Sequence, residues 1–353
     1  MQIFKNIRIY NYRGIKHLKI DGFSDVNVFL GKNNIGKSTV LEALFMLTGM
    51  SNPEIPQRVN SIRNHLIASP IDDVRYLFHN MDINIHPIFE SELENGTMRK
   101  LEISVKKYDY LSDFSQGGLS SDLTKTFNGI EVKFSHKNGK NESFTNARFV
   151  TRNGNIQNQI NNEYVEVLSA LYLPANLYDQ NINNDISSIV KSNRKDVLLG
   201  MLKEFDHNII AVESLPDGVF VGYDGIDGLM PISMLGDGLR RYLCIVAAIA
   251  NQNTKLLFLD EIDNGIHYSS YEDLWKNVFI LAKKYQKQIF VTTHSREVLY
   301  ALNNVIKNHL EYQSSVGLYT IEKTISGENK SYRYGYKGLN QAFENNIEIR
   351  SLL

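Results

Sequence analysis

The sequence predicts an α/β fold, in which a mixed sheet carries a phosphate-binding turn and a long insertion separates the segments that form the sheet. Three observations support this prediction: a glycine-rich turn between an apolar strand and a helix, a later apolar strand that ends in two acids, and a further apolar strand that ends in Thr-Thr-His-Ser. Short apolar runs of this kind are typical of strands buried on both faces. Ligands bind at the carboxyl ends of such strands, so the polar residues there are the candidate site.

The first element is the glycine-rich turn, Gly31-Lys-Asn-Asn-Ile-Gly-Lys-Ser38, a complete Walker A motif. A buried strand is predicted before it at Val26–Leu30 and a helix after it at Ser38–Thr48, with Gly49 as the stop signal. Backbone N–H groups and the helix dipole favour phosphate at such a turn, the lysine reaches the β and γ phosphates, and the serine hydroxyl ligates Mg²⁺. The predicted residues of this ATP site are Gly31, Asn33, Asn34, Gly36, Lys37, Ser38 and Thr39.

The two later strands supply the residues for hydrolysis. Asp260 and Glu261 end the apolar run that starts at Lys255, as in a Walker B strand. Asp260, with Ser38, is predicted to hold Mg²⁺, and Glu261 is predicted to polarise the attacking water. His294 ends the next apolar strand, where it is placed to sense the γ-phosphate and orient the water. The alternative for His294 is a ring that hydrogen-bonds to the local backbone at a strand end.

A second pair of glycines opens a helix that is predicted at Leu239–Ala250. These glycines belong to the segment Gly236-Asp237-Gly238, which precedes the Walker B strand. Two glycines at a helix start make another group of backbone N–H donors for an anion. A chain that already has one phosphate site gains from a second only if the second covers a phosphate bound elsewhere.

In these motifs and in their order the chain resembles the ABC-type ATPases of the RecF/SMC branch, and more closely the OLD-like family of bacterial ATPases. The resemblance also includes Asn11-Tyr-Arg13-Gly-Ile, the run from Asp260 to His267, and Thr292-Thr-His-Ser, and it covers mainly residues 1–50 and 230–300. It implies an ABC-type P-loop core with a β-lobe. It also implies a head-to-tail dimer, in which the signature loop of one subunit covers the ATP held by the other.

The resemblance implies further site residues. The signature segment Gly236-Asp237-Gly238 would contact the γ-phosphate of the partner's nucleotide, although Gly236 stands where a serine is usual. The segment Asp263-Asn264-Gly265 would form the loop between the two composite sites, and Arg13 would lie near the nucleotide. The glutamine that usually follows the Walker A helix is not evident; Gln57 is the nearest candidate and is predicted to be a plain loop residue.

The predicted organisation has three parts. Residues 1–50 form the first part of the core with the Walker A motif, residues 51–230 form an insertion with strands and a helical lobe, and residues 231–353 carry the signature, the Walker B strand and the switch histidine. Within the insertion, alternation of apolar and polar residues predicts half-exposed antiparallel strands at Met98–Tyr108 and Gly129–Lys137. No heptad pattern of a long coiled-coil arm is visible.

Composition narrows the classes of partner. The formal net charge of −1 gives no global basic field that would draw the chain to nucleic acid or to a membrane, although a local basic groove remains compatible with it. The single cysteine, Cys244, is predicted to be a small buried side chain. No signal peptide and no apolar run of membrane-spanning length are visible, so the chain is predicted to be cytoplasmic, with no membrane partner.

The sequence therefore predicts an ATPase that uses ATP and Mg²⁺ as a homodimer or higher homo-oligomer and whose hydrolysis switches its conformation. The OLD-like resemblance implies the sensor component of a bacterial anti-phage defence system, acting with a separately encoded effector such as a nuclease. No nuclease site is seen, because no Asp-x-Asp follows His294. Two alternatives stay open: a RecF-like DNA-repair ATPase that clamps DNA, and a nucleotide-gated scaffold with negligible turnover.

Overall fold

A computed structural model describes residues 3–63, 72–107, 127–138, 140–150, 155–175, 182–192, 194–325 and 327–351. Within these residues the strands are β1 (Asn6–Tyr12), β2 (Ile15–Asp21), β3 (Val26–Leu30), β4 (Ile88–Glu92), β5 (Met98–Lys107), β6 (Phe127–Asn138), β7 (Lys140–Val150), β8 (Ile156–Gln159), β9 (Ala170–Leu173), β10 (Ile209–Leu215), β11 (Gly218–Tyr223), β12 (Leu229–Pro231), β13 (Leu256–Leu259), β14 (Gln288–Thr292), β15 (Val316–Lys323) and β16 (Asn329–Tyr334). The α-helices are α1 (Lys37–Thr48), α2 (Ile55–Arg63), α3 (Ile182–Lys191), α4 (Lys195–Phe205), α5 (Asp237–Ala250), α6 (Tyr271–Tyr285), α7 (Arg296–Asn308) and α8 (Tyr336–Glu344).

The central sheet has six strands in the order β16-β15-β3-β14-β13-β9. The five strands from β15 to β9 are parallel, and β16 pairs antiparallel with β15 at the edge. Successive side chains alternate between two apolar cores: Leu257 and Leu259 face one, and Leu256 and Phe258 face the other. Because both faces are covered, β3, β13 and β14 are buried along their whole length. This mixed sheet confirms the predicted α/β fold.

Helix α1 lies between two sheets. It packs against β9, β13 and β14 of the central sheet and against β1, β4 and β5 of the second sheet. Every residue of the helix except Ser38 is buried as a result. The phosphate-binding turn at its start is therefore attached to a helix that is enclosed between two sheets.

The second sheet is antiparallel, with seven strands in the order β2-β1-β4-β5-β6-β7-β8. The predicted strands at Met98–Tyr108 and Gly129–Lys137 are confirmed as β5 and β6, although Tyr108 itself lies outside the described residues. Their apolar side chains pair directly across the two strands, for example Leu101 with Phe134, and both are buried. Much of the predicted insertion thus continues the β-lobe sheet that β1 and β2 begin.

Strand β9 differs from the predicted organisation. It lies inside residues 51–230, which were assigned to the insertion, yet it pairs in parallel with β13 as a strand of the central sheet. Its register places Leu173 opposite Leu259, at the end of the sheet where the Walker B acids follow. A run of four residues, Ala-Leu-Tyr-Leu, is too short to be assigned to a sheet from its sequence alone.

Helices α3 and α4 and the three-stranded sheet β10-β11-β12 form the helical lobe. Buried side chains of this lobe, such as Ile186 and Leu198, join the same apolar core as helix α5. Cys244 is buried in α5, as predicted. In the described part of the chain, no helix has the length and apolar character needed to cross a membrane.

Candidate active site

The Walker A turn joins β3 to α1 through glycines in unusual backbone conformations. Gly31 has φ 147°, and a Cβ atom there would lie 2.7 Å from the carbonyl oxygen of Ile321 on β15. Gly36 has φ 107° and precedes the first turn of α1. Both values lie in the region that glycine adopts readily and other residues rarely do. The turn can therefore wrap closely around a bound group, next to the N-terminal N–H groups of α1.

Lys37 is buried at the first position of α1. Its Nζ atom donates hydrogen bonds of 2.9 Å to the carbonyl oxygens of Gly31 and Lys32. Burial lowers the pKa of Lys37, while the nearby carboxylates, first Glu261 and then Asp260, act in the opposite direction. The ammonium group thus lies inside the turn and faces the acids at the end of β13.

Asp260 brings three strands and a helix together, because its carboxylate accepts hydrogen bonds from three hydroxyl groups. Its Oδ1 atom accepts from Ser38 Oγ at 2.8 Å and from Thr292 Oγ1 at 2.5 Å. Its Oδ2 atom accepts from Tyr172 Oη at 3.2 Å. The structure therefore places the predicted metal ligands Ser38 and Asp260 side by side.

The donor atoms around Asp260 fit Mg²⁺. One carboxylate and one hydroxyl supply oxygen ligands, and Mg²⁺ commonly binds one or two carboxylates together with water and substrate phosphates. No cluster of three or more His, Cys, Asp or Glu side chains with metal-binding geometry occurs among the described residues. A site made of Ser38, Asp260, water and phosphate is consistent with both facts.

Sequence reasoning missed Tyr172 and did not assign a role to Thr292. Burial raises the pKa of Tyr172 well above its ordinary value, and the charge of Asp260 adds to the effect, so its hydroxyl stays a donor. Thr292 Oγ1 also accepts a 2.8 Å hydrogen bond from the backbone N–H of Glu261. The Thr-Thr pair before His294 was visible in the sequence, whereas no sequence signal marked Tyr172.

Glu261 has a left-handed backbone conformation, with φ 45°. Its N–H is held by Thr292, and its carbonyl oxygen accepts from the N–H of Asn264 at 3.0 Å and from the Arg241 guanidinium at 3.2 Å. A non-glycine residue in this region costs on the order of 1–3 kcal/mol and persists where surrounding contacts over-determine it. The side chain is only half-buried, so its carboxylate is accessible to water.

His294 follows β14 and is exposed. Its carbonyl oxygen accepts a 2.8 Å hydrogen bond from Nη1 of Arg350, which ties the chain near its carboxyl end to this loop. Since Thr292 bonds both Asp260 and Glu261, the loop that carries His294 starts beside the two acids.

The signature segment lies at the start of α5, and Gly236 and Asp237 are exposed. Gly238 packs on the turn that follows Glu261, where an added Cβ atom would lie 2.7 Å from the carbonyl oxygen of Gly265. In that turn, the carboxylate of Asp263 accepts a 2.7 Å hydrogen bond from Thr293 Oγ1. The signature segment and the predicted loop between composite sites are thus in contact within one chain.

In the described residues, Arg13 forms no hydrogen bond with the Walker A turn; it bonds to Glu42 in the middle of α1 instead. Its Nε atom donates to Glu42 Oε2 at 2.9 Å and to Tyr12 Oη at 3.0 Å, and its Nη2 atom donates to Asn60 Oδ1 at 3.0 Å. Glu42 is one helical turn after Ser38. The proximity of Arg13 to a nucleotide stays a prediction. Gln57 is not a loop residue as predicted; it lies in α2 and accepts a 2.9 Å hydrogen bond from Arg148.

Glu42 should be a strong determinant of stability. Its buried carboxylate, with a side-chain exposure of 2 %, forms ion pairs with Arg13 and Arg63. Removal of one partner from a buried ion pair leaves an uncompensated charge, so Glu42→Gln should lower the free energy of unfolding by about 3 kcal/mol. Urea denaturation measures this change. Glu92→Gln, which breaks a half-exposed pair with Lys5, should cost less than about 1 kcal/mol, and equal losses in the two variants would contradict the prediction.

Together, the parallel central sheet, the Walker A turn and the adjoining Walker B acids define the class of protein: a P-loop ATPase fold of the ABC type. Residues 26–299 match the family described as "AAA domain, putative AbiEii toxin, Type IV TA system". The chain belongs to that family. This membership and the fold confirm the resemblance to ABC-type ATPases of the RecF/SMC branch; the closer OLD-like assignment stays a prediction.

Individual relatives agree with this class. A Helicobacter pylori protein named "ATP/GTP phosphatase" is 29% identical over 371 residues, which cover 94% of this chain and 98% of that protein. An Smc head bound to the C-winged helix domain of ScpA is similar in structure, with a TM-score of 0.50, 11% identity, and coverage of 95% of this chain and 99% of that chain. A Pyrococcus furiosus Smc head with an extended coiled coil, bound to the C-terminal domain of ScpA, also has a TM-score of 0.50, with 9% identity and coverage of 99% and 100%. At these identities the structural likeness shows the fold alone.

Proposed function

We propose that this chain binds Mg-ATP at the Walker A turn and hydrolyses it in a head-to-tail dimer. The observation that supports it most is the 2.8 Å hydrogen bond between Ser38 and Asp260, which joins the two Walker motifs. The name of the Helicobacter pylori relative, an ATP/GTP phosphatase, agrees with nucleotide hydrolysis. Membership in a family of AAA domains agrees with ATP as the nucleotide.

In this proposal the residues of the turn bind and orient the phosphates. Lys37 would exchange its bonds with Gly31 and Lys32 for bonds to the β and γ phosphates, and the N–H groups at the start of α1 would hold the same phosphates. Ser38 and Asp260 would hold Mg²⁺, which when bound neutralises charge on the phosphates. Glu261 would orient the attacking water and accept its proton, and His294 would contact the γ-phosphate.

The dimer is proposed because the signature segment is presented outward. Gly236 and Asp237 are exposed at the N-terminus of α5, where backbone N–H groups and the helix dipole favour an anion. A second copy of the chain would supply that anion as the γ-phosphate of its own ATP. Hydrolysis would remove this shared contact and open the dimer, so the chemistry would produce a change of conformation.

The test measures phosphate release and molar mass on the same wild-type protein. We expect phosphate release that requires Mg²⁺, and light scattering that shows a shift from monomer to dimer when Mg-ATP is added. A monomer under both conditions would contradict the dimer. Dimer formation without measurable phosphate release would favour the alternative of a nucleotide-gated scaffold.

We also propose, from the OLD-like resemblance, that this ATPase is the sensor component of a bacterial defence system and acts with a separately encoded effector, for example a nuclease. Deletion of a neighbouring effector gene should then remove phage resistance as fully as the loss of this chain does. Resistance that persists without any neighbouring gene would contradict the two-component role.

One observation favours a second candidate function, the RecF-like clamping of DNA. A groove of about 490 Å³ lies between β2 and β16, and its lining includes Lys16, Lys19, Lys330 and the exposed Tyr332. Cationic side chains contact phosphate and aromatic rings stack on bases. Duplex binding that falls steeply with salt would favour this candidate, and no binding at low salt would remove it.

A further inference from the structure

Arg241 is a buried cation that no role proposed above uses. It lies in the first turns of α5, three residues after Gly238, and its exposure is 1 %. Its guanidinium donates only to backbone carbonyl oxygens in the described residues: to Pro174 at 2.5 Å, to Asp260, and to Glu261 at 3.2 Å. These carbonyls follow the carboxyl ends of β9 and β13. Arg241 therefore connects the signature helix to the segment that carries the Walker B acids.

Burial of the Arg241 guanidinium carries a desolvation cost. Among the described residues, Nε of Arg241 is buried with no hydrogen-bond partner, and burial lowers the pKa of the guanidinium. The nearby charges of Asp260, Asp263 and Glu261 act in the opposite direction on this pKa, although no carboxylate accepts a hydrogen bond from the guanidinium in the described residues. The guanidinium is therefore held by the backbone and by the charges of the segment that carries the Walker B acids.

The contacts of Arg241 are concentrated on a strained part of the chain. Glu261 has φ 45°, and its two flanking peptide groups are held by two different elements. Thr292 on β14 accepts from the N–H of Glu261, and Arg241 on α5 donates to its carbonyl oxygen. A left-handed glutamate persists only where such contacts hold it, so its conformation depends on the position of α5.

The start of α5 is itself in close contact with the same segment. Gly238 approaches the carbonyl oxygen of Gly265 so closely that an added Cβ atom would lie 2.7 Å from it. Gly265 has φ 77°, and a Cβ atom there would lie 3.6 Å from the side chain of Asp237. A displacement of the signature segment would thus be transmitted to the chain just after Glu261.

We propose that Arg241 is a positioning residue, which holds Glu261 in its left-handed conformation and couples it to the position of the signature helix. The signature segment of one subunit covers the nucleotide bound to its partner. Arg241 of the first subunit then fixes the position of the Glu261 carboxylate in that first subunit. Each nucleotide therefore influences hydrolysis at the other site of the dimer. This inference rests on the proposed hydrolysis at Glu261.

The experiment is a double-mutant cycle between Arg241→Lys and Glu261→Gln. A lysine keeps the charge, but its single ammonium cannot reproduce the planar fork that reaches several carbonyl oxygens. We expect Arg241→Lys to lower kcat at least tenfold, with the Kd of a fluorescent ATP analogue changed less than twofold. In the Glu261→Gln background it should cause no further loss of the residual rate, measured as release of radiolabelled phosphate over hours.

The matched control is Arg194→Lys. Arg194 donates a 2.8 Å hydrogen bond to the carbonyl oxygen of Ala250, at the other end of α5. The Arg194→Lys variant should therefore leave kcat unchanged. If circular dichroism shows that Arg241→Lys does not fold, the cycle uses Arg241→Gln instead, because its neutral amide is less costly to bury.

Two outcomes would overturn the inference: an unchanged kcat in Arg241→Lys, or an equal loss of rate with and without Glu261. Failure of the proposed function is recognised separately. In that case Glu261→Gln alone hydrolyses ATP as fast as the wild type, whatever the effect of Arg241.

Discussion

Replacement of Glu261 by glutamine should lower ATP turnover by about 100-fold or more, because general-base catalysis contributes factors of about 10² to 10⁴. Glutamine has nearly the same shape, and the backbone contacts of residue 261 with Thr292 and Arg241 are kept. Binding of Mg-ATP should therefore remain. The measurements are kcat from phosphate release and molar mass by light scattering, where the variant should persist as a dimer with Mg-ATP.

The control for Glu261→Gln is Glu94→Gln, at an exposed position between β4 and β5. This variant should hydrolyse ATP at the wild-type rate. Equal turnover by Glu261→Gln and the wild type would show that the catalytic assignment is wrong. The nucleotide-gated scaffold would then be the better description of the protein.

A single methyl group at Gly238 should prevent the dimer from forming. In Gly238→Ala the new Cβ atom would lie 2.7 Å from the carbonyl oxygen of Gly265, and backbone must shift to relieve the contact. In the Glu261→Gln background, we expect the Mg-ATP-dependent increase in mass to be lost. Turnover in the otherwise wild-type protein should fall at least tenfold, while a fluorescent ATP analogue still binds at the Walker A turn.

Gly200→Ala is the matched control for this change. Gly200 lies inside α4, and a Cβ atom there would meet nothing within 4 Å. Alanine should stabilise the helix by roughly 0.5–1 kcal/mol and leave the mass change intact. A normal dimer in Gly238→Ala would place the signature segment outside the interface. A large fall in melting temperature for Gly238→Ala would instead attribute its effect to folding.

The parts of the site that the sequence predicted are those carried by contiguous residues. The Walker A turn was recognisable because its glycines, its lysine and its serine stand within eight positions, between a strand and a helix. The strands β5 and β6 were recognisable because one face is buried and the other is in water, which leaves an alternating pattern. Local backbone geometry and periodic burial both leave a recognisable pattern in a short stretch of sequence.

The parts that sequence reasoning missed depend on contacts between distant segments. Tyr172 reaches Asp260 because β9, a four-residue strand inside the predicted insertion, pairs with β13. Arg241 had no signal either, since an arginine near the start of a helix is usually in water, and here it is enclosed by the ends of two strands.

By itself, the sequence determined that this chain has a P-loop, a Walker B pair and a second glycine-rich helix start. It also indicated an α/β fold, because short-range geometry and burial patterns depend on neighbouring residues. The tertiary structure alone decided that Ser38, Tyr172 and Thr292 share one carboxylate, and that Glu261 is held between α5 and β14. The physical reason is that strand order in a parallel sheet is set by packing between segments far apart in the chain, which no local pattern records.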